Sequence, residues 1–100
     1  MTSSIIDIGS ARIQDVSVTD DELQIRLTDG RTVSAPLAWY PRLQHASPAE
    51  RSNWRMIGGG EGIHWPAVDE DISVANVLAG KPSGESQASF AKWLASRTTR

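Results

Sequence analysis

The sequence predicts an α+β domain: a small antiparallel sheet made from two hairpins, short helices around it, and an amphipathic helix at the C-terminal end. Three patterns predict it. Leu23, Ile25 and Leu27 alternate with Gln24, Arg26 and Thr28, the period of a half-buried strand, and Val33, Ala35 and Leu37 resume the alternation after Asp29-Gly30. Two short apolar runs, Trp54-Arg55-Met56-Ile57 and Ile63-His64-Trp65, flank a run of glycines that can reverse the chain. Phe90, Trp93, Leu94 and Arg97 recur at helical spacing.

In chain order, Ile5, Ile6 and Ile8 show no clean period and read as a tail or a short edge strand. From Arg12 the pattern is strand-like, with Val16 and Val18 alternating with Ser17 and Thr19, and Thr19-Asp20-Asp21 supplies turn chemistry. Asp29-Gly30 predicts a type I′ hairpin turn, and Pro36, which has no N–H to donate, ends the ladder. Pro41 biases Tyr40 away from helix and can open a short helical turn. Ser47-Pro48-Ala49-Glu50 is a stronger start signal, with Ser47 as N-cap, Pro48 at the first helical position and Glu50 completing a capping box. The second hairpin closes through a loose five-residue glycine connection and is stopped by Pro66. Asp71 or Ser73 caps a brief helix through Val74, Val77 and Leu78 that ends at Gly80. The domain is then residues 1–80, residues 81–86 are a linker by composition, and residues 87–100, with Ser86 as a cap, form a helix that packs on its own chain or on a partner.

Composition bounds the function. At 100 residues the chain supports one hydrophobic core, and 39% hydrophobic and 22% charged residues with a mean hydropathy of -0.33 place it among folding, soluble-type sequences. A net charge of -2 offers no overall field for a phosphate backbone, which argues against nucleic acid as a partner. No apolar run approaches the roughly 20 residues needed to cross a bilayer, and MTSSIIDIGS lacks the features of a signal peptide, so the expected location is cytoplasmic. The absence of cysteine excludes disulfides, thiolate nucleophiles and Cys-based metal sites.

The stretch GGGEGIHWPAVDEDIS, Gly58 to Ser73, concentrates the residues that could carry chemistry. A phosphate loop needs a lysine at a helix start, whereas this loop has none and contains Glu61. His64 with Asp69, Glu70 or Asp71 has the donor types for a transition metal, but a lone histidine supplies no preorganised pair and His45 lies in another segment. An acid–base reading makes His64 a base oriented by Asp71, with Ser73 as nucleophile, though no nucleophile elbow accompanies it. More simply, Asp69, Glu70 and Asp71 place negative charge at a helix N-terminus, and the glycines permit an open turn. Of the four tryptophans, two or three are expected in the core; Trp93, beyond the linker, must close over the chain's own sheet or dock on a partner. Arg97 and Arg100 read as a solvated end.

AWYPRL (Ala38 to Leu43), GIHWP (Gly62 to Pro66), DEDISV (Asp69 to Val74) and LAG (Leu78 to Gly80), with the preceding hairpin, resemble the bacterial family known as domain of unknown function 2442 over about Ala11 to Gly80. The resemblance implies a compact α+β domain with an antiparallel sheet and short helices. It also implies a gene neighbourhood of toxin–antitoxin type, with a second small protein encoded alongside. Some relatives carry a helix-turn-helix domain after this one, and the segment after the linker is expected to be too short for that. The family carries over no catalytic residue.

These readings converge on a non-enzymatic module that binds another protein, as an antitoxin-like partner of a small cognate protein, with a second copy of the chain as another candidate partner. The expected anchors are Trp39, Tyr40, Trp65 and Trp93, and the expected acidic rim, meeting a basic partner, is Asp69, Glu70 and Asp71. No cofactor and no membrane contact are implied. Two rivals from other classes are a metal-binding or hydrolytic module centred on His64 and the acids Asp69 to Asp71, and a DNA-binding autoregulator.

Overall fold

In a computed structural model of the chain, residues 12–98 are described, so the reading of Ile5, Ile6 and Ile8 as an edge strand lies outside them, as does Arg100. Two three-stranded antiparallel sheets and short helices make an α+β fold with a longer helix at the C-terminal end. The first sheet is ordered β1 (Ile13–Val18), β2 (Glu22–Leu27), β3 (Thr32–Pro36). Its central strand buries Leu23, Ile25 and Leu27 almost completely, as the alternation predicts. In β1 a register shift between Ile13 and Asp15 turns Ile13 and Val16, three positions apart, toward the same core, leaving Val18 half-buried.

The turn between β2 and β3 is not type I′. Gly30 has φ +95, but Asp29 is not among the positive-φ residues, and the bonds Gly30 N–H to Leu27 O (3.0 Å) and Leu27 N–H to Arg31 O (2.8 Å) describe a three-residue loop with glycine in the left-handed position. The Asp29 carboxylate closes the loop from its side chain by accepting from the Arg31 N–H (3.0 Å).

The crossing between the sheets is helical: a 3-10 turn at Leu37–Trp39, α1 (Pro41–Gln44) and α2 (Pro48–Ser52). Pro41 opens α1, and the capping box on α2 is complete, with Glu50 N–H to Ser47 Oγ at 3.1 Å and Ser47 N–H to Glu50 Oε1 at 2.8 Å.

The second sheet is ordered β4 (Arg55–Ile57), β5 (Gly62–Trp65), β6 (Glu70–Ser73). Its first reversal has four residues rather than five, and Gly58, Gly59 and Gly60 all hold positive φ (61, 67 and 96), a run of conformations open to few residues but glycine. The loop also joins the sheets, since the Ile13 N–H donates to Gly60 O (2.9 Å), and it extends the β5–β6 pairing through the Val74 N–H to Glu61 O (2.9 Å).

β6 overturns the helix-start reading of the acids. Pro66 to Asp69 make a tight turn closed by the Asp69 N–H to Pro66 O (3.4 Å), and Asp69 is the one non-glycine with positive φ (53) among the described residues. Glu70 then pairs with Trp65, Asp71 with His64 and Ile72 with Ile63. Strand alternation sends Glu70 and Ile72 inward, Asp71 outward. The cap of the following helix, α3 (Val74–Leu78), is Ser73, whose Oγ accepts from the Asn76 N–H (3.1 Å), and its first turn contains no acid.

Ser86 caps α4 (Gln87–Thr98) by accepting from the Ser89 N–H (3.0 Å). This helix lies against α1 and α2 of its own chain rather than over a sheet. The Phe90 ring meets His45 edge-on at 5.1 Å, and Trp93 lies against the guanidinium groups of Arg42 (5.3 Å) and Arg97 (4.6 Å). Arg97 is therefore no solvated end: it pairs with Glu50 at 2.9 Å. The core between these layers is one cluster from both sheets and the crossing helices, with Trp65 fully buried and its indole N–H donating to Arg51 O (3.0 Å).

Candidate functional site

The structure separates the seven expected partner-binding residues. Tyr40 (2% exposed) and Trp65 (0%) belong to the core, and Glu70 (9%) is buried. None of these three can anchor or rim a docking surface, because the core takes both aromatic rings and the strand period turns the Glu70 carboxyl inward. Trp39 and Trp93 are half-buried, while Asp69 and Asp71 are exposed.

Around Glu70 lies a polar cluster centred on Arg42, a residue the sequence reading passed over. Arg42 is bidentate to Glu85, with Nε to Oε1 at 2.9 Å and Nη2 to Oε2 at 2.6 Å, and its Nη1 donates to Val68 O at 3.1 Å. Ser89 Oγ donates to the same Glu85 carboxylate at 2.8 Å. The side chains of the pair are only 17% and 9% exposed, so it is a half-buried, charge-assisted fork. These bonds hold the Glu85 carboxyl below its usual range, and the bond to Glu85 raises Arg42. Glu70 goes the other way: burial first, then the Glu85 charge, push its carboxyl from 4.5 up to about 7, against the pull of Arg42. Tyr40 is raised by its own burial and then by Glu70, and its Oη has no hydrogen-bond partner among the described residues. Sequence spacing gives no signal for this cluster, since Arg42 and Glu85 are 43 positions apart.

On the outer face of the second sheet, Arg55, His64 and Asp71 lie side by side across β4, β5 and β6. His64 Nδ1 is hydrogen-bonded to Asp71 Oδ1, the orientation an acid–base pair needs. The Ser73 hydroxyl considered as its nucleophile is engaged as the α3 cap. Among the described residues, no three His, Asp or Glu side chains converge as metal ligands.

The remaining surface feature is β4. All three of its residues are exposed, and Met56 (40%) and Ile57 (36%) are the exposed large hydrophobics of the described chain. Among the described residues β4 is an edge strand, paired with β5 on one side only.

A small α+β domain of two three-stranded sheets, with a buried polar cluster and an apolar strand edge, is the class of protein these features define. The chain belongs to the family described as Protein of unknown function (DUF2442), whose model matches residues 13–83. Two solved structures share the fold. One is a protein of unknown function from Rhodospirillum rubrum, 23% identical over 79% of this chain and 95% of its own, with a TM-score of 0.64. The other is an uncharacterized protein from Chromobacterium violaceum, solved by NMR, 18% identical over 89% of this chain and 78% of its own, with a TM-score of 0.65. No curated protein matches. Glu85 and α4 lie beyond the matched residues, whereas Arg42 and Glu70 lie within them. No helix among the described residues is long and apolar enough to cross a membrane.

Proposed function

We propose that this protein is a binding module for another protein, and that the partner adds a strand to the open edge of β4. The observation that carries the reading is the exposure of Met56 and Ile57 on an edge strand, where backbone groups and apolar side chains are presented together. An extended segment laid along β4 gains main-chain hydrogen bonds from the edge. Met56 and Ile57 point to opposite faces of the sheet and grip the segment from both sides. The antitoxin-like gene neighbourhood implied by the family resemblance makes a small cognate protein the partner of choice. Asp69 and Asp71 lie toward the far edge, Asp71 about 10 Å from β4 across two strand spacings. They serve a basic flank of the partner rather than its anchoring strand.

Co-expression with the product of the adjacent gene tests this. The two proteins are expected to co-elute, and Met56→Lys with Ile57→Lys is expected to abolish the complex while leaving the circular dichroism spectrum and melting temperature unchanged. A complex that survives both substitutions, or the absence of any complex, contradicts the reading. The His64–Asp71 pair favours a hydrolytic module as a second reading; under it, His64→Gln removes a hydrolytic activity and leaves the complex intact.

A further inference from the structure

We propose that Glu70 and Glu85 compete for the single guanidinium of Arg42, so that a neutral Glu70 leaves α4 latched to α1 and α2, and an ionised Glu70 releases it. The geometry sets up the competition. Arg42 and Glu70 belong to the residues the family model matches, and Glu85 is supplied by the segment that follows them. In the latched state Arg42 spends Nε and Nη2 on Glu85 and Nη1 on the Val68 and Asp69 carbonyls (3.1 and 3.4 Å), the second being the carbonyl bonded to the Glu70 nitrogen, so the guanidinium lies next to Glu70 while Glu70 stays buried with no ion pair among the described residues. The same guanidinium lies over the Trp93 ring, and Glu85 takes the Ser89 hydroxyl; losing the Arg42–Glu85 fork therefore loosens the first two turns of α4 together.

The groups facing Glu70 come from every element around it: Tyr40 before α1, Arg42 on α1, Glu85 in the linker, and Asp69 and Asp71 beside it in the chain. Of these only Arg42 is cationic, and it is already engaged. A proton lost from Glu70 adds a second negative charge that repels Glu85 across a half-buried cluster, and the relief open to the pair is for Glu85 to leave and Arg42 to turn to Glu70. The coupling is reciprocal, so removing the Glu85 charge must make Glu70 a stronger acid. This latch is independent of strand addition at β4.

The test uses the full chain labelled with 15N and 13C. The indole N–H resonance of Trp93, assigned by its loss in Trp93→Phe, is followed from pH 5 to 9 together with the Glu70 carboxyl carbon. Both are expected to shift with a common midpoint near 7. Glu70→Gln is expected to remove the Trp93 transition, and His45→Asn, which takes away the imidazole against Phe90, is expected to leave it in place. In Glu85→Gln the Glu70 midpoint is expected to fall by about one unit. The proposal is overturned if the Trp93 transition persists in Glu70→Gln, if it vanishes in His45→Asn, or if the Glu70 midpoint in Glu85→Gln does not move. Should Glu70→Gln fail to fold, Glu85→Gln still decides: without the Glu85 carboxylate there is no fork to lose, so the Trp93 resonance is expected to show no transition near 7 there, and a transition that persists overturns the latch.

Discussion

Replacing Glu70 by glutamine should make the domain more stable, and increasingly so as pH rises. Burial and the Glu85 charge raise its carboxyl from 4.5 to about 7, so the folded state holds the proton more tightly than the unfolded chain does. The stability tied to that proton is fully present below 4.5 and is lost as pH rises through 7. The difference of about 2.5 units corresponds to about 3 kcal/mol, of which about 1 is already lost at pH 5 and nearly all by pH 8. Glutamine keeps the shape of the neutral acid and cannot ionise. Its advantage over the natural residue should therefore grow by about 2 kcal/mol between pH 5 and pH 8, or roughly 10 °C in melting temperature for a domain of this size. Urea denaturation of both proteins at the two pH values measures this. Equal stability differences at pH 5 and pH 8 would refute the assignment of Glu70 as a buried acid that titrates near neutrality.

Other changes have their own signatures, each checked by urea denaturation at pH 7. Arg42→Ala leaves the half-buried Glu85 without its counter-charge and removes the cation from the face of Trp93, and should cost about 2 kcal/mol. Ser47→Ala breaks one half of the capping box on α2 and should cost about 1 kcal/mol. At Asp69, held at φ 53, substitution by glycine should be nearly neutral, whereas the β-branched Asp69→Val should cost about 1–2 kcal/mol.

The central strand of the first sheet and the start of α2 formed where local pattern placed them. The alternation through Leu23, Ile25 and Leu27 became the central strand of the first sheet, and Ser47 and Glu50 formed their capping box, because in both cases the deciding contacts lie within a few positions. The run Asp69-Glu70-Asp71 misled for the same reason. Acids before an apolar residue and a serine are what a helix start contains, yet the Pro66–Asp69 turn brought the chain back and pairing with Trp65 and His64 put Glu70 and Asp71 in a strand. That pairing also explains why Glu70, read as a surface acid, is internal. Arg42 escaped notice because its chemistry comes from partners 26 to 43 positions away, which no spacing rule connects. Met56 and Ile57 looked like ordinary strand residues; only the sheet order shows that, among the described residues, their strand is an edge and both stay exposed.

Binding along the open edge of β4 is the central claim, and backbone amide shifts of the 15N-labelled chain during titration with the product of the adjacent gene test it most directly. The account predicts that the largest changes fall on Arg55 to Ile57, with smaller ones on their β5 partners Gly62 to His64. Shifts that leave β4 untouched, or that gather on β3 or on α4, would contradict it.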